Sequence, residues 1–243
     1  MALKKIYNNR GHSDTDSGAV GYVVERDQNV KVGDYFEDYL KKNYKCSVKG
    51  NKGTVGSLTA ICNDANEWGA DLFVSIHFNA GGGDGHEVLV YDKDNLELGK
   101  VFDKHLKAIG QNSRGVKYRP DLGVLRLTDM KAVLVECAFV DNKKDIKDWD
   151  EDAELKKMGE AIAKATAEYL KLPKKEVAAE KKLKKGAKVK IKVGSKDLNT
   201  GKKYSAFVYL KTYTVISISG NRVVFGQNGA VTGATNKSNI KLV

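Results

Sequence analysis

The sequence predicts an α/β domain with a mostly parallel sheet flanked by helices, followed by a small all-β barrel. Three observations predict it. Over residues 1–172, apolar runs of strand length alternate with segments whose apolar residues recur at helical spacing. After Gly186 the pattern changes to short period-two runs separated by turn clusters. Charge divides at the same place: residues 1–172 carry 26 basic and 28 acidic side chains, net −2, whereas residues 173–243 carry 16 and 3, net +13. Such asymmetry marks two parts with different tasks.

Taken in order, Leu3–Tyr7 reads as the first strand. Val32, Phe36, Tyr39 and Leu40 mark a helix, and Val55, Leu58, Ile61, Ala65 and Trp68 a second. Leu72–Phe78 and Glu87–Tyr91 are strands. Leu98, Phe102, His105 and Ile109 give a third helix, and Ala132–Cys137 a further strand. Leu155, Met158, Ile162, Ala165 and Tyr169 predict a last helix, with Asp150 and Asp152 as candidate caps, ended by Pro173. The six lysines and two glutamates of Lys174–Lys185 read as a charged linker. Beyond it, Val189–Val193, Phe207–Tyr209, Tyr213–Ile218 and Val223–Phe225 are the strands of the barrel.

At 243 residues and 41% hydrophobic, the chain can bury a sizeable core and is not compositionally disordered. No apolar run approaches the ~20 residues of a membrane span, and no apolar stretch before Asn8 reads as a secretory signal. Three cysteines, Cys46, Cys62 and Cys137, argue against a disulfide framework and for a reducing compartment. The basic tail suits a polyanion.

In an open α/β sheet the ligand crevice lies outside the carboxyl ends of the strands. His12, His77 and Glu136 all fall there, and Glu25 opens the first long helix. A glutamate within the apolar run Val133–Cys137 is costly unless it is paired or used. Two histidines and a glutamate form a ligand set for catalytic zinc with a fourth position open to water; a further glutamate serves as general base. Elsewhere, Gly81–Gly85 is no dinucleotide fingerprint, because no helix pattern follows it. His86 reads as the start of a strand and His105 as a packed residue. Cys137 faces away from Glu136, since strand neighbours alternate. Tyr204, Phe207, Tyr209 and Tyr213 read equally as lining of a ligand groove or as barrel core.

Four segments, Gly11-His12…Asp16-Ser17-Gly18-Ala19, Glu25-Arg26-Asp27, Ser75-Ile76-His77-Phe78-Asn79-Ala80 and Leu134–Asn142, resemble in order the type 3 family of zinc-dependent N-acetylmuramoyl-L-alanine amidases, over about residues 3–171. The resemblance implies zinc held by His12, Glu25 and His77, with Glu136 as the catalytic glutamate. It implies cleavage of the amide between N-acetylmuramic acid and the L-alanine of the peptidoglycan stem peptide. Ser13-Asp14 stands where a glycine pair often follows the first histidine. The tail segments Lys188–Ile191, Tyr213–Ile216, Val231–Ala234 and Ser238–Leu242 resemble bacterial SH3-like wall-binding modules. The expected layout is a catalytic domain at 1–172, a lysine-rich linker at 173–186 and an SH3-like module at 187–243. That arrangement resembles a phage endolysin of a Gram-positive host, synthesised in the host cytoplasm and acting on peptidoglycan, and on anionic wall polymers, after release.

The rival readings are a bacterial autolysin or spore-wall amidase, a zinc peptidase of stem or cross-bridge peptides, and a nucleic-acid-binding protein using the basic tail. Against the last, Arg222 is the tail's only arginine and no RNA-binding motif is present. Neither nucleic acid nor membrane insertion is expected.

Overall fold

Strands β1 (Lys4–Arg10), β2 (Cys46–Gly50), β3 (Leu72–Asn79), β4 (His86–Val90), β5 (Ser113–Tyr118) and β6 (Ala132–Phe139) form one sheet in the order β2-β1-β3-β6-β4-β5. Every ladder is parallel except that between β4 and β6. The computed structural model describes residues 2–51, 57–175 and 182–243. The chain divides into two compact units, Met1–Lys175 and Glu176–Val243.

The central strands β3 and β6 are mostly hydrophobic because both of their faces are covered. On one face pack α1 (Glu25–Asn43), α3 (Leu96–Ala108) and α6 (Asp152–Tyr169). Val32, Phe36, Phe102 and Ile162 there meet Ile6, Leu72, Val74, Ile76, Val133 and Val135. Cys137 belongs to this core, on the face opposite Glu136, as strand alternation requires. The other face is covered, among the described residues, mainly by α2 (Leu58–Trp68) and the single turn α4 (Gly123–Arg126). Cys62, Ala65 and Val124 pack there on Tyr7, Phe73, Leu89 and Leu134. A short α5 (Lys143–Trp149) follows β6, capped by the Asn142 side chain, which accepts from the amides of Lys144 and Asp145.

Several details differ from the sequence reading. Val55 lies outside the described residues; α2 is capped by Ser57, whose Oγ accepts from the Ala60 amide. Neither Asp150 nor Asp152 caps α6: its N-cap residue is Glu151, which makes no side-chain capping bond. Strands β2 and β5 were not foreseen. They are the edges of the sheet, and edge strands are short and polar, without the apolar run that betrays a central strand.

The second unit holds β7 (Lys188–Ile191), a short α7 (Ala206–Leu210) in place of the strand expected over Phe207–Tyr209, β8 (Tyr213–Ser219), β9 (Arg222–Gln227), β10 (Ala230–Asn236) and β11 (Ile240–Leu242). Its strands are antiparallel in the order β10-β9-β8-β7-β11 around Val189, Ile191, Tyr213, Val215, Val223 and Phe225. The expected closed barrel is an open sheet. The 3₁₀ turn Lys237–Asn239 delivers β11 to the far side of β7, and no described ladder joins β10 to β11.

Candidate metal centre

The carboxyl ends of β1, β3 and β6 and the first residue of α1 converge, bringing together all four residues singled out in the sequence. His12 follows β1, whose last residues continue the register with β3: the Gly11 amide donates to the Ile76 carbonyl at 3.0 Å. His77 lies near the end of β3, directly opposite Glu136 on β6. Glu25 is the first residue of α1, where the helix dipole favours a carboxylate.

One ligand atom each from His12, Glu25 and His77 lies within 4.8 Å of the other two. Glu25 bridges the imidazoles, with Oε2 3.0 Å from His12 Nε2 and Oε1 2.9 Å from His77 Nδ1. It is 4% exposed and also accepts from the Ala19 amide. Burial alone would raise its pKa; the bonds to His12 and His77 outweigh that and hold it well below the carboxylate range. The hydrogen bond to Glu25 pushes His12 up to about 9, against burial and with help from Asp16.

The surroundings fit a bound ion. Gly11 and Gly18 press against the donors: a Cβ on Gly11 would lie 2.3 Å from the His77 ring, and one on Gly18 2.5 Å from Glu25 Oε2 and from His12 Cδ2. Gly18, at φ +65°, also has a backbone that other residues adopt only with strain. Asp16, which the sequence reading did not single out, supplies the outer partner: its Oδ2 lies 2.8 Å from His12 Nδ1 and directs Nε2 inward. Ser13 and Asp16 exchange backbone hydrogen bonds, so the Ser13-Asp14 variation sits in a closed turn. Two histidine nitrogens and a carboxylate suit a zinc-like divalent cation and leave a position open.

Glu136 stands beside this set without joining it. Its Oε2 is shut off from solvent and has no hydrogen-bond partner among the described residues. Burial pushes its carboxyl up to about 7, with Glu25 and Glu87 adding to the effect and the His77 ring opposing it. A groove of about 200 Å³ opens at His12 and His77, walled on one side by Leu58, Ile61 and Val124. The loop after β3 is tied to the chain after β6 by carboxylates the sequence reading left unassigned. Asp141 accepts from the Gly81 and Gly82 amides, and buried Asp145 from those of Gly85 and Phe139. Asn142 and Asp145 follow β6 so closely that the capping pattern was the one available signal.

The remaining histidines are elsewhere. His86 is fully buried against α3, with Nε2 2.9 Å from Asp103 Oδ1; His105, on α3 itself, pairs with Glu168 on α6. In the second unit, Tyr213 is core. The hydroxyls of Tyr204 and Tyr209 donate to the carbonyls of Ala234 and Ser195, so both are built into the fold, while Phe207 is 57% exposed. The groove of that unit, about 520 Å³, is lined instead by Lys192, Val193, Lys196, Leu198, Asn236 and Asn239.

Fold and site together define a hydrolase of the α/β class whose chemistry sits at the carboxyl ends of the sheet. The chain belongs to the N-acetylmuramoyl-L-alanine amidase family, whose family model matches residues 7–168. It is 35% identical over 185 residues to an endolysin of Bacillus phage SPP1, covering 71% of this chain and 68% of that one. It is 31% identical over 190 residues to the N-acetylmuramoyl-L-alanine amidase CwlM of Bacillus licheniformis, covering 72% of each. The catalytic domain of the amidase CwlV from Bacillus (Paenibacillus) polymyxa var. colistinus superposes with a TM-score of 0.66 at 29% identity, over 70% of this chain and 99% of that domain.

Proposed function

We propose that the chain is a zinc-dependent peptidoglycan amidase of the endolysin type, hydrolysing the bond between N-acetylmuramic acid and L-alanine. The observation that carries this reading is the convergence of His12, Glu25 and His77 within 4.8 Å, with the unpartnered carboxyl of Glu136 directly across the ladder from His77. Zinc held by His12 Nε2, Glu25 and His77 Nδ1 would supply Lewis-acid polarisation of the lactyl carbonyl and make water acidic enough to react near neutral pH. Glu136, raised toward 7, is matched to taking a proton from the attacking water and giving it to the departing L-alanine nitrogen. Asp16 holds the His12 ring in the tautomer that leaves Nε2 free. Leu58, Ile61 and Val124 keep one wall of the groove dry.

In this reading residues 1–172 carry the chemistry, 173–186 link, and 187–243 hold the cell wall. The similarity to the SPP1 endolysin favours a phage lysis role over an autolysin or spore-wall role. Product analysis tests the bond. Digestion of purified Gram-positive walls should release free L-alanine amino termini while leaving the muramic acid carboxyl. A chelator should stop it and zinc restore it. New amino termini from any other stem or cross-bridge residue would instead establish a peptidase.

A further inference from the structure

The polar row that starts at His77 continues past Glu136. His77, Glu136 and Glu87 share one register across β3, β6 and β4, so their side chains stand side by side on the groove face of the sheet. Glu87 is 7% exposed and lies directly opposite another glutamate, a pairing that is unfavourable without a counter-charge. Edge strand β5 provides two: Arg114 Nε and Lys117 Nζ each donate to Glu87 Oε1 at 2.6 Å. Two cations thus share one carboxylate, while Asp84, itself paired with Lys144, also lies close enough to Arg114 to feel its charge. The Arg114 and Lys117 side chains are about half-exposed, at 40% and 44%.

Arg114 is more than a charge. Its Nε is committed to Glu87, and its guanidinium carbon lies 5.1 Å from the centroid of the Phe139 ring. Plane and position are thus fixed, while neither Nη atom has a hydrogen-bond partner among the described residues. A guanidinium held in this way presents two parallel donors matched to one carboxylate.

We propose that Arg114, positioned by Glu87 and assisted by Lys117, binds the free carboxylate of the second residue of the stem peptide. This rests on the amidase reading. The sugar side of the scissile amide is neutral, because its lactyl carboxyl is consumed in that amide; anions lie on the peptide side. The Arg114 guanidinium is bonded to Glu87 of β4, the residue paired with Glu136 on the neighbouring strand, and neighbouring strands lie ~4.8 Å apart. A peptide residue spans ~3.3–3.6 Å. L-alanine therefore bridges the interval, and a carboxylate on the next residue meets the fork. Amidation of that carboxyl would remove the charge and put an N–H donor against the guanidinium.

The test uses the full chain with zinc and two soluble muropeptides that differ only in a carboxylate or a carboxamide on the second residue. The expected KM is lower by ~10-fold or more for the carboxylate form, in line with a charged hydrogen bond, with kcat alike. Arg114→Gln should raise KM for the carboxylate form alone, erasing the preference while kcat stays within about 2-fold, and Arg114→Lys should keep part of it. Should Arg114→Gln fail to fold, the Arg114→Lys comparison and the loss of the wild-type preference at high salt decide the matter. Equal KM values for the wild-type chain, or a variant that loses kcat equally on both substrates, would overturn the assignment. Cleavage of both muropeptides at another bond would overturn the amidase reading instead, and product analysis tells the two failures apart.

Discussion

His12 holds a backbone φ of +67°, a left-handed conformation that costs a non-glycine residue of order 1 kcal/mol or more. The closed Ser13–Asp16 turn and the bond from Nδ1 to Asp16 maintain it, and the return is an Nε2 aimed at Glu25. With carboxylates at both nitrogens and a pKa near 9, the ring is protonated at neutral pH when no metal is bound. Metal must displace that proton. Zinc binding at pH 7.5 should therefore release about one proton per chain, and apparent affinity should fall ~10-fold per unit as pH drops below about 9; calorimetry in buffers of different ionisation enthalpy measures both. Asp16→Asn should weaken zinc binding by ~10–100-fold. Glu136 has the opposite signature, because it touches no ligand atom and has an unpartnered oxygen. Glu136→Ala should retain zinc and lose ~10²–10⁴-fold or more in kcat, whereas His77→Ala should lose the metal as well. Metal analysis alongside wall lysis separates the two roles, and poor zinc binding by Glu136→Ala with normal binding by His77→Ala would reverse them.

The elements show where sequence reading reaches and where it stops. β3 and β6 were legible because burial on both faces leaves a mostly apolar run, and Glu136 was conspicuous because it breaks one. The site followed, since strand ends and a helix start place His12, Glu25, His77 and Glu136 without knowledge of any contact. Edge strand β5 carries no such run, so Arg114, Lys117 and their link to Glu87 were invisible before the ladder was known. His86 was hidden for a different reason: its partner Asp103 comes from α3. There the imidazole ties β4 to α3, and Asp103 Oδ1 also accepts from Ser113 Oγ on β5. His86 Nδ1 is buried without a hydrogen-bond partner meeting strict geometry among the described residues. Burial, opposed by Asp103 and the Asn112 backbone, depresses its pKa below the usual 6.5. The unfolded chain thus binds the proton more readily than the native one, so stability is full above about 6.5 and is lost as pH falls from there toward the depressed native value. Denaturant midpoints of the wild-type chain should drop on acidification through this window. His86→Gln should flatten that part of the profile, and an unchanged profile would remove His86 as its source.

At the scale of the whole molecule, the two units differ in charge and in the kind of surface they present. No described helix is long and apolar enough to cross a membrane. The second unit has its own core of Val189, Ile191, Val208, Tyr213, Val215, Val223 and Phe225, so a fragment of residues 182–243 should fold alone, near the lower size limit for a domain without disulfides or metals. Joined to a fluorescent reporter it should label host walls, and residues 1–172 should label them weakly. Two mechanisms compete. Charge alone, with net +13 over residues 173–243, predicts labelling that collapses between ~50 and ~200 mM salt, where the Debye length shrinks toward the spacing of surface lysines. A shaped groove predicts labelling that survives salt. The tyrosines do not supply that groove, because Tyr204 and Tyr209 spend their hydroxyls on Ala234 and Ser195. It lies between Lys192, Val193, Lys196, Leu198, Asn236 and Asn239, a mix of apolar side chains, amides and lysines suited to a glycan or peptide ligand. Lysines scattered over the whole unit speed encounter and leave specificity to the groove. Val193 is 84% exposed, so Val193→Asp should leave the fold intact, yet it should cut labelling by ~10-fold or more in 0.3 M salt. Undiminished labelling by Val193→Asp, together with complete loss of wild-type labelling at that salt, would assign wall binding to charge.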